Sequence, residues 1–234
     1  MENQTDQNHA VYDTLSETEK QDLKQKCIDD ITGNNYEIFC PLICLEYIFC
    51  INKDESFCTD AVIKMMNKLI EKSKTYKIFY GNFEEQEIQK NCDLIKKEEI
   101  NLENLNIYLV GQIFIRIVNN NQKLMLPEKI NKELLNSYVR YNPNKQKEIV
   151  KRIPFIINKR NRIFLKLLQE LFNKIEENKE INKTSRNDLL HIFGPMVFKG
   201  ELEDKQIHGY HRMVILEDVL NTDFDHIEEE IYKN

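Results

Sequence analysis

Apolar residues recur three and four positions apart along most of this chain, and that spacing limits the possible fold more than any other feature. Residues 59–73 and 161–175 show it clearly, because their apolar side chains fall on one face of a helix. Alternation with a period of two, which marks a half-buried strand, is scarce. Six glycines and five prolines among 234 residues are also too few for a turn-rich all-β fold. The sequence therefore predicts an all-α domain of about seven to nine helices.

Caps and breakers indicate where some of these helices begin and end. The most apolar segment, residues 106–118, leaves little polar face and predicts a central helix that is buried on most sides. A further helix over residues 185–192 is expected to end at the Phe-Gly-Pro triplet of residues 193–195, since glycine can cap a helix and proline cannot continue it. Pro143 and Pro154 interrupt the pattern in between, and no helix is assigned there.

The first 35 residues differ from the remainder. Residues 1–14 are polar and show no period, which predicts a loose terminus. Ser16 and Glu19 then form the pattern of a capping box, and the apolar positions after them recur at helical spacing: Leu23, Cys27 and Ile31. We therefore divide the chain into a polar N-terminus with a short amphipathic helix, residues 1–35, and a main domain, residues 36–234.

The charge of the chain disfavours two classes of partner. Thirty-three basic and 39 acidic side chains give a formal net charge of −6, without any block of about five or six like charges. Nucleic acid and anionic membrane are therefore not expected as main partners. The apolar runs fall far short of the roughly eighteen residues of a membrane span, and the N-terminus does not resemble a signal peptide. We expect a cytoplasmic protein.

The motifs of several enzyme classes are absent from the sequence. The glycines are too few and too scattered for a phosphate-binding loop of the GxGxxG or GxxxxGK kind. No HExxH, GxSxG or EF-hand motif occurs. The six cysteines include no CxxC pair, so we expect no metal site and interpret the cysteines as ordinary thiols. The chain is not expected to be an enzyme by itself.

Four short segments carry a more specific signal. Residues 39–42 are Phe-Cys-Pro-Leu, and residues 77–80 are Lys-Ile-Phe-Tyr. Asn161 opens an amphipathic helix, and residues 181–198 contain Asn-Lys followed by a helix and Phe-Gly-Pro. In this order and spacing the segments resemble the F-G-V-P-L, G-I-F-R, L-P-x-x-N-x-x-x-L-x-x-L-L and N-K-M…N-L-A-x-x-F-G-P-N-L motifs of Rho GTPase-activating (RhoGAP) domains. The resemblance runs from about residue 36 to 230 and implies a RhoGAP-like helical fold.

The polar positions of these motifs differ from the family, whereas the packing positions agree. In the family the fourth residue of G-I-F-R is the arginine finger, which neutralises charge on the phosphoryl group that the GTPase transfers. This position is Tyr80, and a phenol has no positive charge at pH 7. The asparagine that follows F-G-P in the family, and that helps to hold the GTPase, is Met196. The resemblance thus implies an atypical member that lacks the finger, with Lys77 as a possible substitute cation.

Two alignments of the central helix give different binding residues. The family has a lysine there and, four residues later, an arginine. An alignment without a gap places Ile115 and Asn119 at these positions, and it matches the apolar pattern better. Three residues inserted after the helix would instead place Gln112 and Arg116 there. The resemblance therefore gives these candidate GTPase-binding residues: Tyr80, Ile115, Arg116, Asn119 and Met196.

The family implies a Rho/Rac-type small GTPase as the partner, in signal transduction and control of the cytoskeleton. GTP and magnesium would belong to that partner, so this chain would need no cofactor of its own. Three functions stay open: a weak, unconventional GTPase activator, a catalytically inactive GTPase-binding scaffold or effector module, and a helical interaction protein with another kind of partner. The sequence decides neither which GTPase is bound nor the oligomeric state.

Overall fold

The computed structural model describes residues 10–32, 58–97, 101–121, 125–126, 128–198, 208–227 and 231. In these residues almost all regular structure is helical, which confirms the all-α fold class. The described ranges contain ten α-helices: α1 (Glu17–Thr32), α2 (Asp60–Glu71), α3 (Glu85–Lys96), α4 (Ile107–Asn120), α5 (Glu128–Val139), α6 (Pro143–Ile156), α7 (Lys159–Glu177), α8 (Lys179–Asn182), α9 (Arg186–Val197) and α10 (His208–Leu220). Two short 3₁₀ helices cover Tyr12–Thr14 and Leu102–Asn104, and strand β1 (Ala10–Val11) pairs antiparallel with β2 (His226–Ile227).

Side-chain caps fix the starts of several helices. The predicted capping box is present before α1, where the Ser16 N–H donates to Glu19 Oε2 at 2.8 Å and the Glu19 N–H donates to Ser16 Oγ at 3.3 Å. Ser185 and Asp188 form a second capping box at α9. Thr59 caps α2 through its side-chain oxygen. Each cap pairs backbone donors that a helix cannot satisfy by itself.

The core centres on Phe193, the first residue of the Phe-Gly-Pro triplet. Its ring centroid lies 5.7 Å from that of Phe114 in α4 and 5.9 Å from that of Phe172 in α7. Phe79, in the segment after α2, approaches the same ring edge-on at 5.4 Å. All four rings are buried, and such contacts add to the stabilisation that burial alone provides. The helix predicted to be central, α4, packs against α2, α3 and α9.

The end predicted for α9 is wrong. The helix continues through residues 193–195 as far as Val197. Gly194 does not cap the helix: a Cβ atom at this position would lie 2.9 Å from the Cα of Met213, so the glycine lets α9 and α10 pack closely. Pro195 removes only one backbone donor, close to the end of the helix.

Helices α3, α6 and α8 have no individually predicted counterpart, and the ten helices in the described residues exceed the expected seven to nine. Pro143 stands at the start of α6, where a helix needs no backbone donor, and Pro154 lies in its last turn. Burial of the apolar residues around Pro154 compensates for the missing hydrogen bond: Ile149, Val150, Ile153, Phe155 and Ile156. Helix α8 is a single turn between α7 and α9.

The N-terminal helix packs on the remainder of the described structure. Helix α1 contacts α5 and α6, and four of its apolar side chains belong to the common core: Leu23, Cys27, Ile28 and Ile31. Just before it, the Tyr12 ring stacks on the guanidinium of Arg162, with 3.8 Å between the ring centroid and Cζ. Arg162 also donates a hydrogen bond to the carbonyl of Phe224. The domain boundary predicted between residues 35 and 36 lies outside the described residues and stays a prediction.

Other predictions also fall partly or wholly outside the described residues. The Phe-Cys-Pro-Leu segment at 39–42 is one of them, together with Cys40, Cys44 and Cys50. The cysteines that are described, Cys27, Cys58 and Cys92, are buried. Burial raises the pKa of Cys27 to about 12 and that of Cys58 to about 11, so neither forms a thiolate near pH 7. Within the described ranges, none of the helices has the length and apolar character needed to cross a membrane.

Candidate functional site

The Lys-Ile-Phe-Tyr tetrapeptide lies in the connection between α2 and α3, residues 72–84, which we call the α2–α3 loop. Its middle residues, Ile78 and Phe79, are buried, whereas Lys77 is exposed and Tyr80 is 52% exposed. The Tyr80 N–H donates to the Lys77 carbonyl at 2.8 Å and closes a turn. Lys77 has a φ of 45°, a left-handed conformation that few side chains tolerate. The tetrapeptide is thus anchored by its middle and presents both ends to solvent.

Asn182, the last residue of α8, attaches this loop to the helices behind it. Its side chain is fully buried and donates to the carbonyls of Ser73 at 2.9 Å and Ile175 at 2.8 Å. Its Oδ1 accepts a hydrogen bond from the Thr184 N–H at 2.8 Å. Its backbone carbonyl accepts from the Lys77 N–H at 2.7 Å. A single side chain with its donors and acceptor paired therefore joins the loop to α7, α8 and the start of α9.

The α2–α3 loop also rests directly on α4. A Cβ atom at Gly111 would lie 2.6 Å from the Ile78 carbonyl oxygen, so this approach of two backbones requires glycine. One residue later, Gln112 donates from Nε2 to the Phe79 carbonyl at 2.5 Å. Helix α4 therefore forms the floor on which the two buried residues of the tetrapeptide are held.

Arg116 lies one turn beyond Gln112 on α4. Its guanidinium is 2.5 Å from the carboxylate of Glu85, the first residue of α3. Ile115 instead packs partly buried against the core, and Asn119 is exposed in the last turn of α4. From α4, Gln112 thus contacts the loop and Arg116 contacts the start of α3. Which of the two alignments gives the binding residues stays a prediction.

The exposed tip of the loop combines a cation with two aromatic rings. The Lys77 ammonium lies 5.6 Å from the Tyr76 ring centroid and 5.8 Å from that of Tyr80. Burial, and then the nearby Asp188 carboxylate, raise the pKa of Tyr80, so its phenol is neutral at pH 7. Hydrogen bonds from Ser185 hold the pKa of Asp188 below its usual value, with a smaller contribution from Lys77. The start of α9 therefore lies within electrostatic reach of the loop.

Met196 occupies a different environment from the residues of the loop. It packs partly buried against the core from the last turn of α9. The described contacts place Lys77 beside Tyr80 and Gln112 against the carbonyl of Phe79, whereas Arg116 pairs with Glu85 at the start of α3. For Ile115, Asn119 and Met196, a role in binding stays a prediction.

Sequence reasoning missed the importance of two residues that hold the site. Gly111 left a signal, because an isolated glycine inside the most apolar helix is unfavourable unless another element packs closely there. Asn182 entered the sequence argument only as the first residue of a motif. Nothing in its sequence neighbourhood indicates that its carboxamide bridges two segments more than a hundred residues apart, as its bond to Ser73 does.

The described residues hold no evident metal centre. Across the parts of the chain given above, no group of three or more histidine, cysteine, aspartate or glutamate side chains is arranged to bind an ion. The chemistry that the loop offers is therefore that of lysine ammonium groups, two exposed phenols and apolar surface, with Lys77 nearest to the two rings.

The chain is similar to several known proteins. A family model described as the RhoGAP domain matches residues 60–201, which is more than half of the chain. An uncharacterized protein of Encephalitozoon cuniculi (strain GB-M1) is 24% identical over 233 residues, covering 95% of this chain and 94% of that protein.

Two solved structures have the same fold. The BH domain from GRAF, the GTPase regulator associated with focal adhesion kinase, superposes with a TM-score of 0.56 at 13% identity, over 76% of this chain and 97% of that one. Human Rho GTPase activating protein 15 gives a TM-score of 0.57 at 21% identity, over 67% of this chain and 79% of that one. At such identities the likeness supports the fold alone.

Proposed function

The chain belongs to the RhoGAP domain family, and on this premise we propose that it binds a Rho/Rac-family small GTPase through the α2–α3 loop and regulates its GTP hydrolysis. The observation that carries the proposal is the way Lys77 and Tyr80 are presented. Both are exposed at the tip of a loop whose middle is buried and whose backbone is held by Asn182 and Gln112. A group held in this way can be placed against another protein's surface with little reorganisation.

We expect any acceleration of hydrolysis to be weak, because Tyr80 stands where the family has its arginine finger. A finger is worth roughly a thousand- to a hundred-thousandfold in rate, which corresponds to about 4 to 7 kcal/mol of transition-state stabilisation. A neutral phenol donates one hydrogen bond and supplies no charge. Activation would then rest on ordering the partner's switch segments and catalytic water rather than on direct neutralisation.

Lys77 is the candidate for a substitute cation. Its ammonium lies beside the ring of Tyr80, the residue at the finger position. Lysine is a hydrated point charge rather than a planar fork, so full equivalence to arginine is not expected. Arg116 is a weaker candidate, because its guanidinium is already engaged by Glu85.

A second function is favoured by the same Tyr80 position: a catalytically inactive module that binds the GTPase and competes with, or recruits, its effectors. An exposed aromatic ring suits an interface better than it suits charge neutralisation. In either case GTP and magnesium would be held by the GTPase, and this chain would contribute no cofactor. Both functions fit a cytoplasmic signalling protein that acts on the cytoskeleton.

The test combines hydrolysis and binding on a panel of Rho-family proteins. Single-turnover GTP hydrolysis is measured with and without the chain. Affinity is measured for GDP, GTP-analogue and aluminium-fluoride forms. We expect at least one GTPase to bind more tightly in its GTP-analogue form than with GDP, with acceleration that Lys77→Ala reduces. Lys132→Ala, at an exposed position on α5, is the matched control and should behave as wild type.

Each other outcome has a defined meaning. Binding without acceleration would select the inactive scaffold or effector module. Acceleration on the order of a thousandfold would show that a cationic side chain at a position other than residue 80 replaces the arginine finger. No binding to any Rho-family protein in any nucleotide state would overturn the proposal and leave a helical interaction protein with a different partner.

A further inference from the structure

Large apolar side chains are exposed at only a few places in the described residues. Seven of them expose more than a third of their surface: Val11, Tyr76, Tyr80, Val139, Tyr141, Ile181 and Tyr210. Three of the seven belong to the α2–α3 loop and to α8, the helix that holds the loop. Tyr76 is 55% exposed, Tyr80 is 52% exposed and Ile181 is 58% exposed. Exposed apolar side chains that lie together mark a candidate interaction surface.

The backbone brings these three residues to one place. The Lys77 N–H donates to the carbonyl of Asn182, so Tyr76 and Ile181 each lie one residue away from the two ends of the same hydrogen bond. The Lys77 ammonium in turn lies between the rings of Tyr76 and Tyr80. The surface therefore combines three exposed apolar side chains with the Lys77 ammonium.

This surface is stiff for a loop. The buried side chains of Ile78 and Phe79 anchor it from below, and the fully buried Asn182 ties its backbone. Exposed aromatic and aliphatic groups on a rigid support lose little conformational freedom on binding, and they are the kind of group that dominates interface energies. Nothing in the loop's own fold requires Tyr76 or Ile181 to be apolar, since most of each side chain faces solvent.

Building on the proposed function, we propose that Tyr76, Tyr80 and Ile181 form an apolar docking surface around Lys77 for the GTP-bound form of a Rho-family GTPase. The complementary patch on the partner is apolar and includes a carboxylate that pairs with the Lys77 ammonium. In this arrangement Tyr80 contributes buried area at the interface and does not act as a finger. Tyr76 and Ile181 set the strength of binding, outside the tetrapeptide that the family motif covers.

Two single substitutions test this surface by equilibrium titration with the GTP-analogue form of a GTPase that binds the wild-type chain. Tyr76→Ala and Ile181→Ala should each raise the Kd by about 5- to 30-fold, as truncation of a central interface residue does. Their matched controls are Tyr210→Ala and Val139→Ala, at exposed positions on α10 and α5. The controls should stay within about twofold of wild type. Thermal melts should show all four variants folded, because each side chain is exposed.

The outcomes separate this inference from the proposed function. If wild type binds a Rho-family GTPase and Tyr76→Ala and Ile181→Ala bind as wild type does, the docking surface is wrong while the proposed function stands. Equal weakening by the two control substitutions would likewise overturn it. If wild type binds no Rho-family GTPase in any nucleotide state, the proposed function fails, and the surface loses its assigned partner with it.

Discussion

Tyr80 and Lys77 lie side by side at the tip of the α2–α3 loop, with 5.8 Å between the ammonium and the ring centroid. An active RhoGAP domain has an arginine where this chain has Tyr80, so the backbone at residue 80 decides whether an arginine could act there. The buried Phe79 and the contacts from α4 hold the backbone at Tyr80, and an arginine there would have the same support.

Tyr80→Arg should therefore raise single-turnover GTP hydrolysis by a partner that binds the chain. The expected gain is on the order of a thousandfold, because a planar cation would reach the charge that develops on the transferred phosphoryl group. Asn82→Arg is the matched control, since it adds the same charge at another exposed position of the same loop. Equal rates for the two variants would contradict a finger geometry at residue 80.

For the loop tip the sequence gives one set of candidate residues, whereas for α4 it gives two. Tyr80 and Lys77 follow from one short motif, and both are exposed as a binding role requires. The pairs 112/116 and 115/119 each have the spacing of one helical turn, so periodicity alone cannot choose between them. What distinguishes them is the neighbouring loop, because the Phe79 carbonyl and the Glu85 carboxylate lie beside Gln112 and Arg116.

Among the elements, α4 depends on a glycine for its contact with the loop. Gly111→Ala should lower the free energy of unfolding by about 1 to 3 kcal/mol, because the new Cβ would meet the Ile78 carbonyl, a backbone atom that cannot rotate away. Chemical denaturation measures the effect. Gly209→Ala in α10 is the control: nothing lies within 4 Å of its Cβ position, so this change should leave stability equal or up to about 1 kcal/mol higher. Equal effects at the two sites would show that the contact with α4 is unimportant.

The start of α9 gives a pH-dependent prediction. Hydrogen bonds from Ser185 lower the pKa of Asp188 in the folded protein, so this carboxylate stabilises the fold above its usual pKa and loses that contribution as the pH falls through its lowered value. Ser185→Ala should cost about 1 kcal/mol at pH 7, and the difference from wild type should shrink at a pH where Asp188 is protonated. Urea unfolding at the two pH values is the measurement. The neighbouring Asn187→Ala serves as the control, and a loss independent of pH would count against the capping box.

Sequence patterns located most elements but failed at prolines. Proline disfavours a helix partly because it lacks a backbone N–H to donate. In α6 and α9 the prolines lie near a helix end, where the loss of one hydrogen bond is small. Pro143 needs no donor, and the residues around Pro154 are buried deeply enough to keep the last turn helical. The burial that decides these cases arises between elements distant in sequence, so it cannot be inferred from the local pattern.

At the scale of the whole molecule, both ends of the described chain meet at the start of α7. Tyr12→Ala should lower the free energy of unfolding by about 1 to 3 kcal/mol, because it removes the ring that stacks on the buried Arg162 guanidinium. The control is Tyr210→Ala, whose side chain is 69% exposed and should change stability by no more than about 0.5 kcal/mol. Thermal and chemical denaturation give the comparison. A Tyr12→Ala protein as stable as the control would show that the N-terminal segment is an appendage.

Composition and the helical spacing of apolar residues were sufficient to predict the fold class. The predictions of family, partner and site residues needed the resemblance to a family motif. The division at residue 35 rests on a change in polarity and stays a prediction. The α1 side chains pack in the same core as those of α5 and α6. The polarity of a segment predicts how much of it is exposed to solvent. It does not predict which other helices pack against its apolar face.

The ring of Phe79 reaches the middle of the molecule, where it meets Phe193 edge-on. The surface segment that carries Tyr80 is therefore also a piece of the interior. Heating should not melt the segment ahead of the helices, since losing it would open a hole beside Phe193. A substitution of a buried residue that contacts Phe79 would then weaken partner binding, as a substitution in the exposed docking surface would.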